Sequence, residues 1–376
     1  MTTALLVFFF VCFSFHELTM KNFAIFRLPH ADTYTEIIQH KGEPRRLASV
    51  GELNGQKGFV VAPFSATDDE PLLLIAPDEV KTSQLDTSLC KEENDIHDEN
   101  ERSSSLLTDE NERSSSLLTD ENERSYYSVD FQNFHSRLVS GEFKKIVLAR
   151  SAEVSHGDDV NTRRLFFKAC MSYPRMFVAL VSTKVTGTWL VATPEILLEG
   201  NGRDWHTMAL AGTMTLGKLN WSEKNIAEQA YVTTYITECI ERFTNNFQIE
   251  GPYSVRAGEL VHLRTDFHFS IISDDALGKI IATLHPTPAV CGIPKRETND
   301  FIIANEHRPR RYYSGFMGPL GINGTTHLYV SLRCMEILPH AYRLYAGGGI
   351  LADSVEQQEW EETAEKMKTM GKVIFQ

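Results

Sequence analysis

The sequence predicts an α+β fold dominated by antiparallel sheet. Strand-like apolar runs come in close pairs, as at Met176–Val181 and Thr188–Ala192 around Lys184–Gly187. Helical patterns such as Trp221–Phe243 fall between groups of strands, unlike a regular βαβ alternation. A chain of 376 residues, 42% of them hydrophobic, can bury an extensive core, as one large domain or two smaller ones.

Taken in order, Phe23–Pro29 reads as a strand and Ala31–His40 as a short helix. Lys57–Phe64 and Pro71–Ala76 are strand-like runs separated by polar turn residues. Ahead of them, Ala4–Phe15 is apolar but short for a membrane span, and no positively charged segment precedes it. Met20 opens MKNFAIFRLP and is read as the start of a soluble chain; the alternatives are a signal peptide or anchor, or an integral structural segment. The N-terminal part, 20–90, is expected to supply strands that complete a sheet.

From Lys91 the composition changes. ENERSSSLLTD occurs at Glu99–Asp109 and again at Glu110–Asp120, and ENERS begins once more at Glu121. An eleven-residue period can build a helical supercoil, but two leucines and three consecutive serines per repeat make no core. Residues 91–125 are therefore expected to be a disordered surface insertion.

Beyond it, Asp130–Ser140 is predicted helical, with Phe131, Phe134 and Leu138 on one side. Lys144–Glu153 is a strand and Val160–Ser172 a helix. Ile196–Glu199 and His206–Ala211 are strands. Ser222 can cap the long helix Trp221–Phe243. Leu260–Leu263 and Phe267–Ser270 are strands, and Asp274–Leu284 is a helix stopped by Pro286. Asn299–Ala304 is helical, Tyr312–Phe316, His327–Glu336 and Tyr342–Ala346 are strands, and Ser354–Met370 is the last helix.

A net charge of -13 argues against nonspecific nucleic-acid binding. Cys12, Cys90, Cys170, Cys239, Cys291 and Cys334 are scattered without a CxxC, which fits a reduced cytoplasmic protein. HExxH, GxGxxG, Walker A and GxSxG motifs are absent, so zinc-protease, dinucleotide, P-loop and α/β-hydrolase readings lose support.

Chemistry-bearing residues concentrate after Lys144. Glu359, Glu362 and Lys366 are three and four apart and share a helix face. That face is either solvated surface or one wall of a magnesium site, which needs hard oxygen ligands. Glu228 on the long helix joins it only if the two helices face each other. Gly347, Gly348 and Gly349 read as a tight turn whose N–H groups approach an anion. Arg333, in an otherwise apolar strand, needs a carboxylate partner, either a structural Asp or Glu or an anionic substrate. Of Lys144 and Lys145 one points inward, where a lysine can act as a base. Glu195 follows a Thr–Pro turn and is either exposed or a desolvated general acid. Gly212 and Thr213 close LAGT, as a plain turn or a donor pair for a carboxylate. His285 is either a helix C-cap or a donor to substrate.

These stretches together resemble the chorismate-utilising enzymes, and among them the isochorismate synthases. The matching runs are KIVLAR (Lys145–Arg150), ATPEILL (Ala192–Leu198), LAGT (Leu210–Thr213), SEKNIAEQAYV (Ser222–Val232), LHPTPAVCGIP (Leu284–Pro294), YYSGFMGPLG (Tyr312–Gly321), LRCMEI and the AGGGI…EWEET run, in the family's order. The resemblance implies a single large domain with two stacked, mainly antiparallel sheets flanked by helices. It implies magnesium held by Glu228 and Glu362, with Glu359 supporting through water. Arg333 and the Gly347–Gly349 backbone would clamp the pyruvyl carboxylate. Gly212 and Thr213 would contact the ring carboxylate, with Lys366 and His285 nearby, and Tyr329 is counted with the substrate contacts.

The activity implied is conversion of chorismate to isochorismate, with Lys145 activating water for attack at C2 and Glu195 protonating the departing C4 hydroxyl. The ammonia-using relatives typically have glutamine in place of Lys145 and a PAGT-like run in place of HPTPAVCG, so no amidotransferase subunit is expected. A salicylate synthase, which also eliminates pyruvate, is the nearest alternative, and an inactive partner with the same fold is another. Met214–Leu216 departs from the family, which commonly carries arginine there. A cytoplasmic monomer without stable membrane association is expected, feeding menaquinone or siderophore synthesis.

Overall fold

The computed structural model of the chain describes residues 22–86, 121–157, 160–217, 220–271 and 275–375. The apolar run Ala4–Phe15, Met20 and the two complete repeats lie outside these residues. Within them the chain forms two nine-stranded sheets, and every pairing is antiparallel.

The first sheet comprises β1 (Asn22–Arg27), β2 (Thr33–Gln39), β6 (Glu79–Gln84), β7 (Lys145–Ser155), β8 (Phe177–Thr183), β9 (Gly187–Thr193), β14 (Gly292–Ile293), β17 (Cys334–Ile337) and β18 (Ala341–Ile350). The second comprises β3 (Arg45–Leu47), β4 (Gly58–Ala62), β5 (Leu72–Ile75), β10 (Ile196–Asn201), β11 (Asp204–Thr215), β12 (Phe247–Ala257), β13 (Leu260–Ser270), β15 (Phe316–Leu320) and β16 (Thr326–Val330). The helices are α1 (Glu121–Val139), α2 (Thr162–Ser172), α3 (Glu223–Glu241), α4 (Ala276–Leu284), α5 (Lys295–Asn305) and α6 (Glu356–Phe375).

Strand alternation builds the layers. Phe177, Ala179 and Val181 of β8 meet Phe59 and Val61 of β4, Met208 of β11 and Tyr329 of β16 in a core between the sheets. The alternate residues Val178 and Leu180 face outward under α2 and the end of α6. The other outer face is covered by α3 and α4, whose Val232, Ile236, Ile280 and Leu284 pack on Val60, Leu198 and Phe316. Each fully buried aliphatic side chain of this kind contributes about 1.5–3 kcal/mol. A third outer patch joins Phe131, Phe134 and Leu138 of α1 to Ile146, Leu148 and Trp360. Among the described residues no helix is long and apolar enough to cross a membrane.

Several local expectations change. Ala31–His40 is not a helix: Thr33–Gln39 is an inner strand paired with β1 and β6. The run Tyr312–Phe316 is mostly a turn, with left-handed Arg311 and Ser314, and its strand lies later, at Phe316–Leu320. The expected strand His327–Glu336 is two strands in different sheets, β16 and β17. Arg333 therefore lies in the passage between sheets, in the left-handed region at φ 48°. The three glycines form no turn: they lie inside β18, opposite Ala149, Leu148 and Val147 of β7.

The insertion also ends earlier than its repeat pattern. Glu121–Ser125, the third ENERS, is the first turn of α1. Glu123 accepts from Arg308 Nε at 3.0 Å, and Arg124 lies 4.9 Å over the Trp360 ring while pairing with Glu356.

Candidate active site

The site lies where the chain changes sheet twice, side by side. β9 leaves the first sheet at Thr193, and β10 enters the second at Ile196, so Pro194 and Glu195 make one crossing. Ser331–Arg333 make the other, between β16 and β17. Two backbone bonds tie the crossings together: Val330 N–H donates to Glu195 O at 3.0 Å, and Ala192 N–H to Arg333 O at 3.1 Å. Splitting the sheets there leaves a gap that side chains can enter. It holds a cavity of about 40 Å³ lined by Glu195, Gly212, Thr213, Glu228, His262, Arg333, Gly347, Gly349 and Lys366, among others.

Gly212 and Thr213 line this cavity from a β-bulge. The register between β11 and β13 shifts between Ala211 and Met214, so two residues oppose the single His262. Gly212 takes φ +70°, which favours glycine. Helix α3 is seated on the same bulge by two amides. Asn225 Nδ2 donates to Thr213 O at 3.0 Å, and Gln229 Oε1 accepts from Ala211 N–H at 2.9 Å. That seat aims Glu228, one position before Gln229, into the gap.

Lys145 opens β7 and is 0% exposed. Its Nζ donates to Pro288 O at 2.7 Å and lies 3.0 Å from Glu228 Oε1. The Pro288 loop is fixed by a buried pair, Arg310–Glu306. Arg310 also donates to Val290 O at 2.6 Å and to Val147 O at 2.8 Å.

The glycines of β18 make room for this chemistry. A Cβ on Gly349 would come within 2.1 Å of Glu228 Oε1 and 2.8 Å of Lys145 Cε. One on Gly347 would come within 2.8 Å of the Tyr313 hydroxyl, and one on Gly348 within 3.1 Å of Glu359 Oε2, on the opposite face. Their role here is close approach by side chains, and an anion-cradling turn is not formed.

Three carboxylates face three lysines. Lys145 pairs with Glu228, Lys224 with Glu359, and Lys366 with Glu362 at 2.6 Å. The Lys224–Glu359 pair also shows that α3 does face α6. Lys366 Nζ donates to Gly347 O at 2.8 Å as well. Burial raises the Glu362 carboxyl, but Lys366 and then Lys224 outweigh it and hold it at about 2. Glu359 goes the other way: burial raises it and Lys224 only partly offsets this.

Glu195 has no such cation in contact. Burial pushes its pKa up to about 8, against the pull of Lys145 and Arg333. Its Oε1 has one long contact, 3.5 Å from Thr287 Oγ1. It is a carboxylic acid held protonated at neutral pH.

Arg333 meets no carboxylate in an ion pair among the described residues. Its Nη2 donates to His262 Nε2 at 2.9 Å, and its Nε is buried without a partner. His262 Nδ1–H donates in turn to Gly212 O at 2.9 Å. Burial, then Arg333, lowers His262 to about 3, which fixes this neutral tautomer. Of the two partners open for Arg333, an external anion suits a guanidinium kept buried by a neutral acceptor.

Two expected contacts lie elsewhere. His285 is the C-cap of α4, with its ring 5.0 Å from Phe316 on the helix-covered face of the second sheet. Pro286 ends the helix and turns the chain, which leaves the imidazole outside the gap. Tyr329 stacks on Phe177 in the inter-sheet core, 4.3 Å between centroids, because the alternation of β16 points it there. Conversely, His262, Lys224, Asn225 and Gln229 escaped the sequence reading. The spacing of Asn225 and Gln229, one turn apart around Glu228, was the available signal; His262 sits in the expected strand Leu260–Leu263 with no local mark.

Comparison with known proteins identifies the family. A family profile described as "Chorismate binding enzyme" matches residues 71–375. The chain belongs to the chorismate-binding enzyme family. It is 28% identical over 254 residues to isochorismate synthase DhbC of Bacillus subtilis (strain 168), covering 62% of this chain and 64% of that relative. The chain thus spans less than two thirds of the length of this curated relative. The fold is that of DhbC from Bacillus anthracis, with a TM-score of 0.76 at 22% identity over 96% of this chain and 97% of that one. It also matches MenF, the menaquinone-specific isochorismate synthase from Escherichia coli, with a TM-score of 0.73 at 20% identity over 96% of this chain and 90% of that one. The family's two stacked antiparallel sheets are those described above.

Proposed function

We propose that the chain is an isochorismate synthase, converting chorismate to isochorismate. One observation carries the reading. In a chorismate-binding fold, a buried carboxyl with no cation in contact, Glu195, whose pKa burial pushes up to about 8, and a buried lysine, Lys145, flank one gap that also holds an arginine lacking a carboxylate partner. The isochorismate synthases among its relatives support the same assignment.

In this mechanism the pyruvyl carboxylate lies on Arg333, and the ring carboxylate faces the bulge at Gly212 and Thr213. Lys145 Nζ takes a proton from water as the oxygen attacks C2. The ring double bonds shift, and Glu195 gives its proton to the C4 hydroxyl, which leaves as water. One water enters and one leaves, so the reaction is an isomerisation. Glu195 ends ionised and Lys145 protonated, and the reverse reaction uses the same two groups in exchanged roles. Positioning both groups against one ring supplies much of the rate.

The donor set of Glu228, Glu359 and Glu362 fits magnesium: all are carboxylates, and Glu359 Oε2 is buried without a hydrogen bond. Among the described residues these oxygens do not yet form a coordination group, since each faces its own lysine. Glu228 and Glu362 would hold the ion directly, and Glu359 through water. When bound, magnesium would neutralise the ring carboxylate and orient it. A divalent cation and a substrate dianion also enter without changing the net charge of the gap. The cavity of about 40 Å³ falls below the roughly 300 Å³ of small ligand pockets, so binding requires these ion pairs to rearrange.

The test is purified protein with chorismate and magnesium, followed by chromatography. Isochorismate, also consumed in the reverse direction, is the expected product. Salicylate and pyruvate as the only products would make the chain a salicylate synthase, and absence of turnover would overturn the enzymatic reading.

A further inference from the structure

Two of the three lysines paired with Glu228, Glu359 and Glu362 are accounted for: Lys145 as the proposed base, and Lys366 by its bonds to Glu362 and the Gly347 carbonyl. Lys224 is not. It stands in the first turn of α3, four residues before Glu228, so both side chains leave the same helix face. Its ammonium contacts Glu359 Oε1 on α6, and Glu228 and Glu362 both act on it electrostatically. One ammonium thus answers to all three carboxylates proposed as cation ligands.

The lysines also differ in their freedom to leave. The Lys145 side chain is 0% exposed and that of Lys366 9%, whereas that of Lys224 is 21% exposed. Lysine carries its charge on a flexible stem and is strongly hydrated in water. Lys224 can therefore swing outward, where hydration compensates its charge. Glu359, 2% exposed, cannot follow. A buried carboxylate left without any cation is costly, so the departing ammonium must be replaced by another positive charge.

We propose that Lys224 is the built-in counter-ion of the carboxylate cluster: its ammonium, paired with Glu359, supplies the positive charge that the divalent cation would bring, and the cation binds by displacing it. The inference rests on reading Glu228, Glu359 and Glu362 as the cation's ligands. Lys224 then has two effects. It keeps the cation-free cluster from repelling itself, and it weakens cation binding because its ion pair must first break.

Calorimetric titration of the full-length protein with magnesium alone, without substrate, tests this. Lys224→Met should bind magnesium about tenfold more tightly than the unaltered protein, because the competing charge is gone. Its cation-free form should also melt at a lower temperature and recover when magnesium is added. Lys224→Arg, which keeps the charge, should stay within about threefold of the unaltered affinity. Lys224→Gln provides a second neutral variant if the methionine protein fails to fold. A merely structural lysine would give weaker or unchanged magnesium binding in the neutral variants, and that result overturns the proposal.

Glu228→Gln and Glu362→Gln separate the two levels of the argument. If both weaken magnesium binding while the neutral Lys224 variants do not tighten it, the counter-ion role alone fails. If the unaltered protein and the neutral variants all bind no magnesium, the cation reading fails and the counter-ion role with it.

Discussion

Glu195 and Glu199 stand four residues apart in ATPEILLEG, and their carboxyls titrate in opposite directions. Glu195 lies in the crossing between sheets, where burial dominates and its pKa rises to about 8. Glu199 is also partly buried, yet its pKa falls to about 2, because His206 and His327 outweigh the burial. His206 Nδ1 donates to it at 2.8 Å and His327 Nδ1 at 3.1 Å. His206 Nε2 reaches Asp266 Oδ1 at 2.6 Å, and although burial pulls that imidazole down, the Asp266 and Glu199 bonds raise it. Donors in contact, more than depth, decide which carboxyl is an acid and which an anion. Glu195 has charges nearby but only a distant hydroxyl in reach, and that withholding keeps its pKa high.

The largest expected effect separates the two in catalysis. Glu195→Gln should lower kcat by about a thousandfold or more while substrate still binds, as expected for loss of a general acid. Glu199→Gln should stay within a few fold. Equal losses in a chromatographic rate assay would break the contrast.

Next comes His206→Phe, which strips Glu199 and Asp266 of their shared imidazolium. A loss of about 2–3 kcal/mol in a urea denaturation curve is expected, with kcat little changed. If stability holds and turnover collapses, the histidine cluster belongs to the active site.

The pH dependence of stability should also run oppositely for the two. Glu195 has a folded pKa above its unfolded value, so folding holds a proton that the unfolded chain has lost. Stability from this group is fully present below about pH 4.5 and declines as pH rises through about 8, by roughly 1.4 kcal/mol per unit in between. For Glu199 the folded value is depressed, so its contribution is present above about pH 4.5 and lost as pH falls through about 2. Glu195→Gln should flatten the decline between about pH 4.5 and 8, and Glu199→Gln the acid one, in melts across pH. Activity should fall around pH 8, where Glu195 of the folded chain loses its proton.

The smallest effect is at Thr287. Thr287→Val removes the one long contact to Glu195 Oε1 and should move the alkaline limb of the activity profile upward by less than about one pH unit. A downward shift would mean that the hydroxyl destabilises the anion.

Legibility in the sequence followed the range of the interactions. The Phe131–Leu138 face, the Ser222 cap and the hairpin around Lys184–Gly187 are local patterns, and all are present. The Ala31–His40 run failed because Tyr34, Ile37 and Ile38 have helical spacing, while strands on both sides made it a sheet element. Two sheets meeting in one apolar run, with Arg333 at the join, leave no local mark, because each half is apolar for a different sheet. Gly347–Gly349 resembled a turn because glycine weakens strands; its justification lies in Glu228 and Lys145, more than a hundred residues upstream. The shared helix face of Glu359, Glu362 and Lys366 was readable from their spacing, whereas His262 opposite the bulge left no mark, and the turn at Pro286 put His285 outside the gap that the sequence reading gave it.

The most direct test of the account is a site-resolved ¹³C NMR titration of the glutamate carboxyls, with Glu195→Gln and Glu199→Gln as assignment controls. One resonance, absent from Glu195→Gln, should titrate close to pH 8, and one absent from Glu199→Gln should remain ionised down to about pH 2. A Glu195 carboxyl titrating at about 4–5, the ordinary glutamate range, would remove the proposed proton donor and contradict the account.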